Sequence, residues 1–219
     1  IIPYLNEGLR MITEGIPPSI IESAAKQLGF PLGPIQLVDE TSIELGAKIA
    51  RATRAAMGKS YPNDQIDEIL FWMEDNGRLG RKAKAGFFNY NENGKREGFW
   101  TGLEEKYPLS KTTPNLTDVQ HRLMFIQALE AVRALEDGVL MDIREGDVGA
   151  VLGWGFAPWS GGPLSWLDIL GTPYAAERSQ ELCKTYGPRF DCPPLLADMG
   201  KNNEAFYERF SPEKLDKTF

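Results

Sequence analysis

One stretch of this sequence is written twice, and that duplication limits the fold more than any single motif. Pro3-Tyr-Leu-Asn-Glu7-Gly-Leu-Arg10 leads to Glu14-Gly15-Ile16, and Gln127-Ala-Leu-Glu130-Ala-Val-Arg133 leads to Asp137-Gly138-Val139. Each is followed by a helix-start signature, Ser19-Ile-Ile-Glu22 in the first and Asp142-Ile-Arg-Glu145 in the second. Next come Gly29-Phe30-Pro31-Leu-Gly33-Pro34 with Asp39, and Gly155-Phe156-Ala-Pro158-Trp-Ser-Gly161-Gly162-Pro163 with Asp168. The offset is 123 through Glu145, 126 at Gly155-Phe156 and 129 from Gly162 onward. An offset that grows only where the second loop is longer marks a duplication. The sequence therefore predicts two related units, residues 1–113 and 114–219, packed on each other as an internal pseudo-dimer.

Periodicity makes both units helical. Ile2, Leu5, Leu9 and Ile12 share one face until Gly15-Ile-Pro17-Pro18 stops the helix. Ser19-Ile-Ile-Glu22 has the spacing of a capping box, and Ile21, Ala24, Ala25 and Leu28 follow as one stripe closed by Gly29. Thr41-Ser-Ile-Glu44 opens another helix with Leu45, Ile49, Ala52 and Ala56 read as inward. A fourth, from about Asp64 to Asn76, buries Ile66, Ile69, Leu70 and Met73. Residues 77–113 then read as a loop or small hairpin leading to a linker, with Phe87-Phe88-Asn-Tyr90 as its short strand. The second unit opens at Thr117-Asp-Val-Gln120, again with capping-box spacing. Ile126, Leu129, Val132 and Leu135 face inward, and two further helices lie at about 173–186 and near Leu195.

Charge and composition exclude several functions. With 24 basic and 31 acidic residues the net charge is −7, unsuited to generic binding of nucleic acid or anionic lipid. No apolar run approaches the roughly 18 residues of a membrane span, and no leader is visible. Cys183 and Cys192 are expected as reduced thiols, the pattern of a cytoplasmic protein. The chain opens with Ile1 already inside a helix, which suggests part of a longer protein cut on its N-terminal side.

Catalytic motifs are scarce. Gly153-Trp-Gly155-Phe-Ala-Pro158 begins like a dinucleotide fingerprint, but no hydrophobic strand precedes it and Pro158 removes a donor where phosphate needs one. His121, the single histidine, stands near a helix start and reads as a surface or capping residue. One histidine and two cysteines cannot make a four-ligand zinc site, and neither a Gly-x-Ser-x-Gly elbow nor a phosphate-binding Walker loop occurs. Glu7 and Glu130 each precede an arginine by three residues, as expected of a helical ion pair. Arg81, Lys82, Lys84, Lys95 and Arg96 read as a solvated basic loop. The Gly/Pro corners can approach another backbone or a ligand closely. A structural role is the simpler expectation, and of the two the first corner is the better candidate for a ligand, because Trp154, Trp159 and Trp166 suggest packing in the second.

Four motifs in order resemble one family: Pro3-Tyr-Leu-Asn-Glu7; Gly29-Phe-Pro-Leu-Gly-Pro34 with Asp39-Glu40; Leu79-Gly-Arg-Lys82 running to Gly86-Phe-Phe-Asn-Tyr90; and Gly155-Phe-Ala-Pro-Trp-Ser-Gly-Gly-Pro163. The family is the C-terminal, tandem helical part of the L-3-hydroxyacyl-CoA dehydrogenases, as in multifunctional enzymes of fatty acid β-oxidation. The resemblance covers residues 1–168. Phe88 stands where tyrosine is commoner and Ala157 where proline is usual. It implies an all-α fold forming one wall of an acyl-CoA cleft. NAD and the catalytic His–Glu pair would belong to a nucleotide-binding domain outside this sequence, so the isolated chain is expected to be inactive. No catalytic residue is carried over to His121. What transfers is the loop of Gly29, Phe30, Pro31, Gly33 and Pro34, expected to face acyl-CoA. The chain's own nucleotide-binding domain and acyl-CoA are the implied partners; a fused hydratase and a docked thiolase stay open. Rival readings are a helical adaptor that binds another protein and the helical domain of a related hydroxy-acid dehydrogenase. Lys217-Thr-Phe219 at the C-terminus is not a peroxisomal Ser-Lys-Leu address.

Overall fold

The computed structural model describes residues 1–61 and 65–211. The start expected near Asp64 and the terminal Lys217-Thr-Phe219 lie outside the described residues. Two consecutive sets of helices follow the same order. The first holds α1 (Ile2–Thr13), α2 (Pro18–Gln27), α3 (Pro34–Thr41), α4 (Ile43–Met57) and α5 (Gln65–Asp75). A small hairpin, β1 (Phe88–Tyr90) with β2 (Arg96–Phe99), and the short α6 (Gly102–Lys106) lead to the second set. That set holds α7 (Leu116–Glu136), α8 (Ile143–Trp154), α9 (Pro163–Leu170), α10 (Thr172–Tyr186), α11 (Pro194–Asn202) and α12 (Phe206–Arg209). The fold is all-α; among the described residues the hairpin is the only sheet, and no helix is long and apolar enough to cross a membrane.

The Gly-Pro corners have a physical cause. In each set a buried carboxylate on the second helix receives the first free backbone N–H groups of the third. Ile35 N (2.9 Å) and Gln36 N (3.1 Å) donate to Glu22; Leu164 N (2.7 Å) and Ser165 N (2.9 Å) donate to Asp147. Pro34 and Pro163 fill the first helical position, where no N–H is needed. The preceding residue must be glycine: a Cβ on Gly33 would lie 2.3 Å from the Glu22 carboxyl, and one on Gly162 would lie 2.4 Å from Asp147 Cβ. The aspartates further on work similarly. Asp39 accepts from Phe87 N, Phe88 N and Tyr90 OH, and Asp168 from Phe206 N and Tyr207 N.

Several expectations change here. Pro17, not Ser19, is the N-cap of α2, and Glu22 reaches across to α3 rather than back to its own helix. The matching carboxylate is Asp147, not Glu145, so α2 and α8 correspond with an offset of 125. At that offset Pro18, Glu22 and Ala25 fall on Ile143, Asp147 and Ala150, all buried. Asn115, not Thr117, caps α7, accepting from Thr117 N and Asp118 N. Ser42 caps α4 while Thr41 ends α3. The inward face of α4 is Ile43, Ala47 and Ala50; Leu45 and Ile49, expected inside, are 51% and 48% exposed. Alanines suffice inside because α4 lies close on α5, and the larger side chains are left outside.

Between the sets, α1 crosses α7. Glu7 keeps the expected pairing with Arg10 (3.9 Å), but it is 1% exposed and held more closely by Arg122 Nε (2.6 Å) and by Arg189 Nε (2.6 Å) and Nη2 (3.0 Å). Arg122, also buried, forks onto Glu14 (2.6 and 3.0 Å) and lies 4.2 Å over the Tyr186 ring. An arginine with both carboxylates and a ring face satisfied is the arrangement in which a buried charge is tolerated.

Candidate functional site

The outward stripe of α4 makes the candidate site. Leu45, Ile49 and Met57 form one side of an open groove of about 500 Å³; α1 contributes Ile2 and Leu5, and α5 contributes Ile66 and Leu70. Its lining is mostly apolar, with Asn6, Thr41 and Ser42 as polar groups at the end near α3 and Tyr61 with Asp67 at the other. Tyr61 OH donates to Asp67 (2.7 Å), which also pairs with Arg54 (3.0 Å). An apolar channel with a few polar groups at its ends suits an acyl chain or an apolar protein face.

Ser42 sits at the mouth with φ 84° and ψ 121°, in the region that disfavours L side chains. Gly171, at the matching corner between α9 and α10, has φ 84° and ψ 127°. The same bend is therefore glycine in one set and a strained serine in the other. Its hydroxyl returns only a long hydrogen bond, 3.4 Å from Leu45 N.

The loop of residues 29–34 lies elsewhere. Phe30 is buried between Tyr4 (stacked, 4.8 Å) and Phe156 (edge-on, 5.6 Å), so the two Gly-Phe corners meet. Gly33 and Pro34 are buried against Glu22 and Gly8. Gly29 and Pro31 are exposed, with Trp159 beside Gly29 donating to the Leu28 carbonyl (2.7 Å) and Pro31 against Gly155. None of the five lines the α4 groove.

A second, more polar cavity of about 550 Å³ lies where the sets meet, walled by Glu7, Arg10, Glu130, Arg133, Arg189 and Cys192 among others. Cys192 is no activated nucleophile, since burial pushes its thiol up to about 11. Cys183 and Cys192 are both free thiols. His121 is half-buried inside α7, accepting from Arg178 Nε at its Nδ1 (2.9 Å); burial and the guanidinium hold it below the usual histidine range. It orients an arginine and faces neither cavity. Of the basic loop, Arg81 pairs with Glu40 (2.8 Å) and Arg96 with Gln36 (2.6 Å) and the Phe88 ring. Among the described residues no cluster of metal-ligating side chains occurs. Residues 153–158 close α8 and enter a short 3-10 turn, with no strand ahead of them, so they do not fit a dinucleotide.

Fold and groove define an all-helical chain built from two like sets, with an open apolar groove on the first. Residues 1–90, the stretch that builds the whole groove, match the family described as 3-hydroxyacyl-CoA dehydrogenase, C-terminal domain. Among solved structures, 3-hydroxybutyryl-CoA dehydrogenase from Escherichia coli shares the fold with a TM-score of 0.65 at 18% identity, over 92% of this chain and 58% of that one. The dehydrogenase part of a multifunctional enzyme from C. elegans does so with a TM-score of 0.65 at 21% identity, over 90% of this chain and 45% of that one. The chain thus spans about half the length of these structures.

Proposed function

We propose that this chain is the helical C-terminal part of an NAD-dependent 3-hydroxyacyl-CoA dehydrogenase, and that the α3 end of its groove, around Val38, Thr41, Ser42 and Leu45, is a wall of the acyl-CoA cleft. The carrying observation is that the family match covers α1, α3, α4 and α5, the elements that leave this apolar groove open. In this reading the base that takes the hydroxyl proton, and the dinucleotide, belong to another domain of the same protein. This chain's part is to bind the acyl portion and exclude water from it. The unit boundary near residue 113 and a cytoplasmic setting belong to the same proposal. Of the Gly-Pro loop, only Gly29 and Pro31 are left to touch a ligand.

The test is turnover. The pure chain should not oxidise NADH with acetoacetyl-CoA, whereas the complete reading frame should, and Leu45→Asp should weaken it. Turnover by the chain alone, or its absence from the complete protein, would contradict the reading. A helical adaptor draws support from Val148 and Leu152, which stand exposed on one face of α8; binding of a protein partner by a complete protein without redox activity would favour that alternative.

A further inference from the structure

The basic loop and hairpin of the first set have no counterpart among the described residues of the second. Phe87 follows the end of α5 by 12 residues, whereas Phe206 follows the end of α11 by 4. Both nonetheless donate a backbone N–H to the matching aspartate, Asp39 or Asp168. The extra residues are therefore not needed to close the fold. They bring Arg78, Arg81, Lys82 and Lys84, and the hairpin adds Lys95 and Arg96. Six of the chain's 24 basic residues thus fall between positions 78 and 96, with Glu92 as the one acid among them. Lys84 keeps its charge at a position, φ 57°, where glycine would be unstrained.

Three of these cations, Arg81, Lys95 and Arg96, line a pocket of about 340 Å³ together with Gln36, Glu40 and Tyr90. The two arginines are held in place. Arg81 Nη1 donates to both carboxylate oxygens of Glu40 (2.8 and 3.0 Å). Arg96 Nη1 donates to Gln36 Oε1 (2.6 Å), and its guanidinium lies 4.5 Å over the Phe88 ring. Each of these hydrogen bonds occupies one nitrogen and leaves the other N–H donors of the fork for a ligand. Lys95 has no carboxylate partner among the described residues; its backbone N–H is held by Asn91 at the hairpin tip (3.0 Å). Tyr90 OH is committed to Asp39 (2.8 Å) and serves as a wall.

Three positive groups against one negative leave the lining with a balance of two charges, which matches a dianion. The second set offers nothing similar: at the offset of 129, Gln36 and Glu40 become Ser165 and Ile169, and Ile169 is 60% exposed. Helix α3 separates this pocket from the α4 groove, with Gln36 and Glu40 lining the one and Val38 and Thr41 the other.

We infer that the pocket binds a phosphate dianion, free or carried on a monoester, with Arg81 and Arg96 donating to its oxygens and Lys95 completing the neutralisation. A head with three terminal oxygens can engage both guanidinium forks at once, which a carboxylate or a halide cannot. The site rests on residues 36–96 and stands whether or not the chain belongs to a dehydrogenase.

Methyl phosphate, the smallest monoester, is titrated into the full chain by calorimetry at constant ionic strength. Binding should be saturable at one site and should weaken as pH falls through about 6, where a monoester takes up its second proton. Lys95→Glu should weaken it roughly tenfold or more, and Arg81→Gln should weaken it as well. Lys201→Glu, the same change of charge on α11, should leave it unchanged. Displacement of methyl phosphate by CoA but not by 3′-dephospho-CoA would support the site and give it to a phosphate carried on a nucleotide. Displacement by inorganic phosphate but not by CoA would support it and give it to the free ion. Absence of saturable binding, full binding by Lys95→Glu, or equal losses in Lys95→Glu and Lys201→Glu would overturn the assignment.

Discussion

Helices α4 and α10 occupy matching places, have the same length and start from the same bend, yet one is covered and the other is not. On α10 the outward positions are Arg178, Leu182 and Tyr186, tied down by α7 or buried. On α4 they are Ile49, Thr53 and Met57, which line an open groove. Exposed polar and aromatic groups became interior partners where a helix lies over them; exposed aliphatic ones remain where none does. An uncovered aliphatic stripe on an otherwise well-packed helix is best explained by something that comes to cover it.

The largest test of this contrast uses the matching acids Glu7 and Glu130. Glu7→Gln leaves two arginines without their buried carboxylate and should cost about 3–5 kcal/mol, whereas Glu130→Gln should stay within about 0.5 kcal/mol, both read by urea unfolding. Equal costs would mean that the two sites are alike after all. The helices come next. Leu182→Ala in the closed set should lose about 2–5 kcal/mol, while Ile49→Ala in the open groove should lose clearly less. The bends should differ by about 1–3 kcal/mol in sign as well as size: Ser42→Gly relieves strain and raises the thermal midpoint, while Gly171→Ser introduces it.

The smallest expected effect is pH dependence. Burial pushes Glu22, Asp39 and Asp168 above the usual carboxylate range, against the pull of the backbone N–H groups that each receives. A carboxyl raised in the folded state keeps its proton longer when folded. Its stabilising contribution is therefore complete below the unfolded pKa and is lost as pH rises through the folded one. These groups should make the protein more stable as pH falls from neutral toward the ordinary carboxylate range. Asp39→Asn should flatten that slope in urea titrations; an unchanged slope would remove Asp39 from it.

Helix order, the Gly-Pro corners and the paired aspartates were legible because they rest on local rules of capping and periodicity. What escaped depends on distant partners. Glu22 and Asp147 differ in side-chain length and lie in helices two residues out of the apparent register, so the eye pairs Glu22 with Glu145. Phe206-Tyr207 is the second set's counterpart of Phe87-Phe88, each pair donating backbone N–H groups to an aspartate. It was hidden because the basic loop of residues 81–84 has no equivalent before it and because Phe206 follows Asp168 by 38 residues where Phe87 follows Asp39 by 48; only the Phe-aromatic pair was there to be read. The Glu7–Arg122 bond joins residues 115 apart, for which no local signal exists. Periodicity alone places Leu45 and Ile49 in the core, because it reports an apolar stripe without saying what it faces. Apolar residues at 43, 45, 47, 49 and 50 do go most of the way round the helix, a sign that more than one face is meant to be covered.

Leu45 and Tyr174 provide the most direct measurement, since they match in position and are about equally exposed. In the complete protein, with NADH and acetoacetyl-CoA as substrates, Leu45→Asp should lower kcat/KM by about tenfold or more, the loss expected when a charge enters an apolar binding wall. Tyr174→Asp should leave kcat/KM unchanged. Equal effects of the two substitutions, or none from Leu45→Asp, would contradict the assignment of the α4 groove to the acyl-CoA cleft.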